Sequence, residues 1–196
     1  MKASAELKVI LRSHLRAQLK VHLPACAGPA AAELCARITA SAVWQKARVV
    51  MLFYPLSSEP DISPLLAAAL DDRKLLTLPR FDVTANLYEP VQVSDLAGEL
   101  AIGPFQVREP VVACPVVPLN RLDLALVPGL GFDARGHRLG RGKGHYDRLL
   151  AGFTGMKIGV AFDFQIVAEV PHEAHDIALD AVVTPTRWIG ANAKGT

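Results

Sequence analysis

Cysteine is scarce in this chain: only Cys26, Cys35 and Cys114 occur, an odd number with no C-x-x-C pair. That excludes a disulfide-stapled secreted scaffold and reads as free thiols in a reducing compartment. Long apolar runs are missing as well, the longest uncharged one, Val49 to Leu56, being far too short to span a bilayer. The first residues are charged and periodic, without an apolar core, so no secretory leader is expected. Nor is there an excess of either charge. A formal net charge of +2 gives no global pull toward nucleic acid or anionic membrane, and any positive field must be local. No internal repeat or low-complexity segment appears. The expected location is the cytoplasm, or an organelle matrix of similar redox state.

What remains is a compact globular composition: 196 residues, half of them apolar and a fifth charged. Leu7, Leu11, Leu15 and Leu19 repeat at helical spacing and predict the buried face of a first helix. Lys8, Arg12, Arg16 and Lys20 form a basic stripe beside it, which on its own reads as a solvated face. Pro24 to Pro29 predicts a connection, and Ala30 to Lys46 a second helix with Leu34, Ile38 and Trp44 turned inward. Arg48 to Tyr54 predicts a central strand covered on both faces, with the loop Pro55 to Pro60 at its carboxyl end. Ser63 before Pro64 predicts a helix start, and that helix runs to Arg73. Further strands are expected over Leu75 to Leu78 (stopped by Pro79 and Arg80), Asn86 to Val93, Leu122 to Val127, Lys157 to Phe162 and Leu179 to Thr184. Ser94 to Pro110 reads as loop. The alternation predicts one α/β domain over residues 1–190, a mostly parallel central sheet with helices on both faces, and a frayed tail over 191–196.

The stretch from Val127 to Leu150, VPGLGFDARGHRLGRGKGHYDRLL, stands apart. A buried strand feeds a loop holding Gly129, Gly131, Gly136, Gly140, Gly142 and Gly144, interleaved with Arg135, Arg138, Arg141 and Lys143. Tyr146 to Leu150 then reads as a first helical turn. Glycine lets backbone N–H groups approach a ligand closely, and a strand, a glycine loop and a helix start make an anion cradle. The added cations suit a polyphosphate. The plainer reading is a surface turn with solvated charges, but such tracts do not normally follow a buried strand. Neither G-x-x-x-x-G-K-[ST] nor G-x-G-x-x-G is present.

VPGLGFD followed by G-x-R-L-G-R-G-K-G-x-Y-D-R resembles the signature of the 5-formyltetrahydrofolate cyclo-ligase family, also called methenyltetrahydrofolate synthetases. The likeness is tightest from Asp123 to Leu150 and thinner at both ends. One position departs from it: the family has two tyrosines before the aspartate, and this chain has His145-Tyr146-Asp147. The family's opening K-x-x-L-R-x-x-L is matched by Lys8, Leu11, Arg12 and Leu15.

The resemblance implies an enzyme that uses ATP to convert 5-formyltetrahydrofolate to 5,10-methenyltetrahydrofolate, releasing ADP and phosphate through a phosphorylated formyl group. It implies an ATP site of Lys8, Arg12, Arg138, Gly140, Arg141, Gly142, Lys143, Gly144, His145 and Tyr146, with Arg141 and Lys143 as the catalytic cations. Folate contacts are implied at Tyr54, Glu59, Phe105 and His145. Alone, Glu59 reads as a solvated loop acid and Phe105 as packing. Magnesium is implied at Asp147 and Asp176, because two carboxylates on a basic phosphate site make sense as cation ligands. His172, Glu173, His175 and Asp176 also have the residue types of a zinc site, without a third ligand in a defined relation. The expected partners are small molecules, with no nucleic acid and no membrane, and the expected state is a monomer. Two rivals use the same loop: another phosphosugar or nucleotide enzyme on a similar sheet, and a folate or nucleotide binder that has lost turnover.

Overall fold

The computed structural model describes residues 2–190, and of residues 2, 3 and 24–27 the backbone alone. The expected tail over 191–196 and the Cys26 thiol therefore lie outside the described residues.

Helix α1 spans Lys2–Thr39, and α2 spans Ala42–Lys46. The connection expected at Pro24 to Pro29 is helix instead. Each proline removes one backbone donor, but the alanines around them are the strongest helix formers, and Leu34 and Ile38 anchor the far end in the core. The second expected helix breaks at Ser41, whose side chain accepts from Trp44 N at 3.2 Å and caps α2. On the first turns the buried stripe is rotated from expectation. Leu15 and Leu19 are buried but Leu7 is 52% exposed, so Lys8 and Arg12, seven and three residues before Leu15, share its inner face.

Strand β1 is Val49–Met51, shorter than the apolar run around it, and α3 is Ser63–Asp71. Ile62 holds the cap position of α3, one residue before the expected Ser63, and Asp61 Oδ1 accepts from Ser63 N at 2.9 Å. The helix stops short of Arg73, which takes a positive φ of 57°. Strand β2 is Leu75–Asp82 and β3 is Leu87–Val93, so β2 runs straight through Pro79, where a stop was expected. The reason is local pairing: Pro79 lies opposite Pro90, whose carbonyl turns away to accept from Val117 N at 2.8 Å. Neither proline is asked for a donor across that pair. The expected loop over Ser94 to Pro110 contains a hairpin, β4 (Leu100–Ile102) with β5 (Arg108–Pro110), and Phe105 sits at its tip.

The chain continues with β6 (Leu124–Pro128), β7 (Gly131–Phe132), β8 (Arg138–Leu139), α4 (His145–Leu150), β9 (Met156–Val160), β10 (Ala181–Val183) and β11 (Trp188–Ile189). The main sheet has the order β11-β10-β9-β6-β1-β2-β3. Its interior pairs are parallel, and the edge strands β3 and β11 pair antiparallel. This is a mixed α/β single domain with a mostly parallel sheet, as expected. Alternate residues face opposite sides. Val50, Leu76, Leu124, Leu126 and Ile158 pack with Leu34, Ile38, Trp44 and Leu66 of α1, α2 and α3. Met51, Ala125, Val127 and Val182 pack on the other face with Phe132 and with Leu149 and Leu150 of α4. A third cluster joins Leu15 and Leu19 of α1 to Leu130, Leu139, Phe162 and Val170, which fixes the first helix on the glycine-rich loop.

Candidate functional site

The carboxyl ends of β1 and β6 open into a cavity of about 930 Å³. Open α/β sheets place ligands at such strand ends. Every residue expected in the site lines it: Lys8, Arg12, Tyr54, Glu59, Phe105, Arg138, the run from Gly140 to Asp147, and Asp176.

The loop is held from beneath. Buried Gln165 donates from Nε2 to the carbonyls of Gly129 and Leu130, both at 3.1 Å, while its Oε1 accepts from Phe162 N at 2.8 Å. Asp133, buried in the turn between β7 and β8, accepts from the amides of Arg135, His137 and Val170 and from His137 Nδ1. Burial opposes ionisation of Asp133, but these donors outweigh it and hold its carboxyl below the usual value. Past Leu139 the chain needs backbone that other residues resist: Gly142 has φ 108° and Gly144 φ 64°. The following helix, α4, is only six residues long, so the expected contribution of a helix end is small and the cradle is mainly side-chain cations.

Those cations approach from two directions. Arg12 Nε donates to Gly140 O at 2.9 Å, and Lys8 Nζ lies 2.6 Å from Asp176 Oδ2. Burial also disfavours ionised Asp176, yet Lys8 and the Glu173 amide more than offset that and lower its pKa. Arg138 is almost fully buried and donates from Nη2 to both oxygens of Asp147, each at 3.0 Å. Arg141 Nη2 reaches Glu59 Oε1 at 3.0 Å and Ser58 Oγ at 2.9 Å. Lys143 is exposed, its ammonium 5.8 Å from the centre of the Phe105 ring. Arg16 and Lys20 are exposed and stand outside the cavity.

Part of the wall is aromatic. Phe81, Tyr88, Phe105 and His145 pack edge-on or tilted, with centroids 4.8 to 6.4 Å apart. His145 Nδ1 lies 2.7 Å from Arg148 Nη2. Burial, then Arg148 and Lys143, push the His145 pKa below its ordinary value. Tyr88 is pushed up to about 12 by burial and by Glu109 and Glu59, and burial raises Tyr146 as well. Both phenols are therefore neutral donors near neutral pH.

Sequence reasoning missed Glu109, Tyr88 and Arg108 in this wall. Glu109 and Arg108 sit in the stretch read as loop, where no periodicity marks them. Phe81 and Tyr88 pair directly across β2 and β3, a signal hidden by ending β2 at Leu78. His172 stacks on His137 at 3.7 Å, and His175 is exposed. Among the described residues no group of three or more His, Cys, Asp or Glu side chains converges as a metal site.

Residues 4–185 match the sequence profile of the 5-formyltetrahydrofolate cyclo-ligase family. The chain is 39% identical over 150 residues to the 5-formyltetrahydrofolate cyclo-ligase of Mycolicibacterium smegmatis, covering 74% of this chain and 77% of that protein. To the Escherichia coli protein of that name it is 34% identical over 152 residues, 72% and 80% of the two chains. Among solved structures it is similar to the 5,10-methenyltetrahydrofolate synthetase of Aquifex aeolicus, with a TM-score of 0.81 and 32% identity over 94% of this chain and 92% of that one.

Proposed function

The chain belongs to the 5-formyltetrahydrofolate cyclo-ligase family, and on that premise we propose that its cavity closes 5-formyltetrahydrofolate to 5,10-methenyltetrahydrofolate with ATP as co-substrate. The observation that carries this reading is that two unlike sets of side chains line one cavity. Lys8, Arg12, Arg138, Arg141 and Lys143 line it with cations, and Tyr54, Tyr88, Phe105 and His145 with rings. The first set suits a polyphosphate and the second a flat heteroaromatic ring.

In the proposed reaction the formyl oxygen attacks the γ-phosphorus and ADP leaves. The neighbouring folate nitrogen then attacks the activated carbon and loses its proton, and phosphate departs. No covalent enzyme intermediate is needed, so the side chains act by positioning and by neutralising charge. Arg141 and Lys143 meet the transferring phosphoryl oxygens. Lys8 and Arg12 hold the rest of the polyphosphate with the amides of Gly140, Gly142 and Gly144, while Arg138 steadies Tyr146 and Asp147. Tyr54 and Phe105 bound the folate ring.

A magnesium ion with ATP asks for one or two carboxylates, phosphate oxygens and water. Asp147 and Asp176 fit that demand, both being carboxylates at the cation-lined wall. Each is balanced by a cation, Arg138 or Lys8, that phosphates would also attract. When bound, the ion would supply charge neutralisation between phosphate oxygens. One chain carries every group named, which supports action as a monomer. The free thiols Cys35 and Cys114 suit a reducing compartment such as the cytoplasm. No helix among the described residues is long and apolar enough to cross a membrane.

The deciding experiment is ADP release from ATP and magnesium, with and without 5-formyltetrahydrofolate, together with the absorbance of the methenyl product. Folate-dependent ADP release matched by product supports the proposal. Binding of both ligands without turnover would make the protein a binder, and ADP release indifferent to folate would point to another nucleotide enzyme.

A further inference from the structure

Helix α1 turns one face to the protein and another to solvent. On the inner face Leu15 and Leu19 are buried, and Lys8 and Arg12 line the cavity. On the outer face Leu7, Ile10, His14, Ala17 and Val21 are all exposed. Leu7, Ile10 and Val21 are 52%, 65% and 70% exposed, which is much for large apolar side chains. Their spacing alternates three and four residues, the seam along which one helix packs on another. From Leu7 to Val21 it runs about 21 Å, and an exposed stripe of that kind marks a contact surface.

The residues bordering the seam favour one occupant. Glu6, Ser13 and Lys20 follow one edge at intervals of seven, all exposed, with an acid at one end and a base at the other. In a parallel pair of such helices Glu6 would meet Leu11 of the other copy, and neither charge would find an opposite. An antiparallel copy related by a two-fold axis sets Glu6 of each helix beside Lys20 of the other. The same register puts Leu7 opposite Ala17, large against small, and Ile10 opposite His14. The stripe is thus complementary to itself. An anionic phospholipid surface would attract Arg16 and Lys20 but repel Glu6 at the border of the seam.

We propose that the outer face of α1, from Glu6 to Val21, joins two copies of this chain as an antiparallel helix pair. The contact is isologous, so it closes on itself and admits no third copy. One helix face is a small contact, and the pair should form and part with protein concentration. Each copy keeps its own cavity, with Lys8 and Arg12 turned inward, so the proposal is independent of what that cavity binds.

Sedimentation over a wide range of protein concentration tests this, with wild type, Ile10→Glu, Glu6→Lys and Lys20→Glu. Wild type should pass from monomer to dimer as concentration rises, and Ile10→Glu should stay monomeric. Glu6→Lys and Lys20→Glu should each weaken dimerisation about 3- to 30-fold, because two attractions become two repulsions. Mixed together, those two variants should dimerise with each other as strongly as wild type, since every contact between positions 6 and 20 again joins opposite charges. The combined Glu6→Lys and Lys20→Glu variant should also dimerise like wild type, and it decides the matter if a single variant fails to fold. All three positions are exposed, so melting temperatures of the monomers should match. Wild type that stays monomeric throughout overturns the proposal, as does a folded Ile10→Glu that still dimerises. Dimers indifferent to the charges at 6 and 20 overturn the antiparallel register. Monomeric wild type that sediments with vesicles of anionic phospholipid would overturn it too, and assign the face to a lipid surface.

Discussion

Arg141 and Glu59 face each other across the cavity mouth, with Nη2 and Oε1 3.0 Å apart. The carboxylate is buried while the guanidinium is 43% exposed. Arg141 neutralises a buried acid, and in the proposed reaction it has a second task, meeting the transferring phosphoryl group. Lys143 has only the second, being exposed and resting against Phe105.

The two cations should therefore fail differently. Lys143→Ala should lower turnover roughly ten- to a thousand-fold, the size of a single electrostatic group, and leave the melting temperature alone. Arg141→Ala should lower turnover and also destabilise the fold, because Glu59 loses its partner inside the protein. Steady-state kinetics paired with thermal melts separate the cases. Unchanged turnover in Lys143→Ala would remove it from the phosphate clamp.

Leu15 ties the first helix to the loop, since its side chain packs on Gly131, Leu130 and Leu139. Leu15→Ala should cost about 2–5 kcal/mol as a core cavity. It should also weaken ATP binding, because Lys8 and Arg12 ride on the same helical face. Urea unfolding and ATP titration of one protein sample measure both. A stability loss with ATP affinity intact would mean that α1 does not position those cations.

How far the sequence led can be seen residue by residue. The sheet strands were legible because buried parallel strands read as continuous apolar runs, Leu124 to Val127 being the clearest. The loop cations were legible because glycine and arginine at that spacing have little structural reason to co-occur, whereas Lys8 and Arg12 stood out only through the family resemblance, their stripe alone reading as a solvated face. Edges were not. Whether Pro79 ends a strand depends on Pro90 lying opposite, a long-range pairing that local propensity cannot express. The hairpin bearing Phe105 and Glu109 has three-residue strands, too short for a period to show. His145 was legible as a departure but not in its state, because sequence cannot tell whether phosphates or cations lie nearer. In the ligand-free chain, burial of the ring and Arg148 at 2.7 Å lower its pKa and favour the neutral imidazole.

Acid should expose the role of Asp133. Its folded pKa is held below the ordinary carboxylate value, so its contribution to stability is full above the unfolded value of about 3.9 and disappears as pH falls through the folded one. Asp133→Asn should destabilise the protein by about 1–3 kcal/mol at neutral pH, since the amide cannot satisfy all those N–H donors. The gap between variant and wild type should shrink steadily below about pH 4. Urea midpoints taken from neutral pH down to the acid limit would show this. A gap that stays constant with pH would mean that the charge on Asp133 is immaterial.

Asp147 binds Arg138 through both oxygens while lining the cavity. If it also holds magnesium brought with ATP, its negative charge matters more than its hydrogen bonds. Asp147→Asn keeps an acceptor for Arg138 but gives up the charge. The strengthening of ATP binding by magnesium should then shrink about tenfold or more, the scale on which a metal site loses affinity when a supporting group is altered. Arg138 is almost fully buried, so some destabilisation should accompany the change whether or not a metal binds. For that reason the readout is the ratio of ATP affinities with and without magnesium, measured calorimetrically on the folded variant. Asp176→Asn provides the parallel case, with Lys8 as the cation released. Unaltered ratios in both variants would leave magnesium to the nucleotide and water alone, with the two carboxylates serving only to orient Arg138 and Lys8.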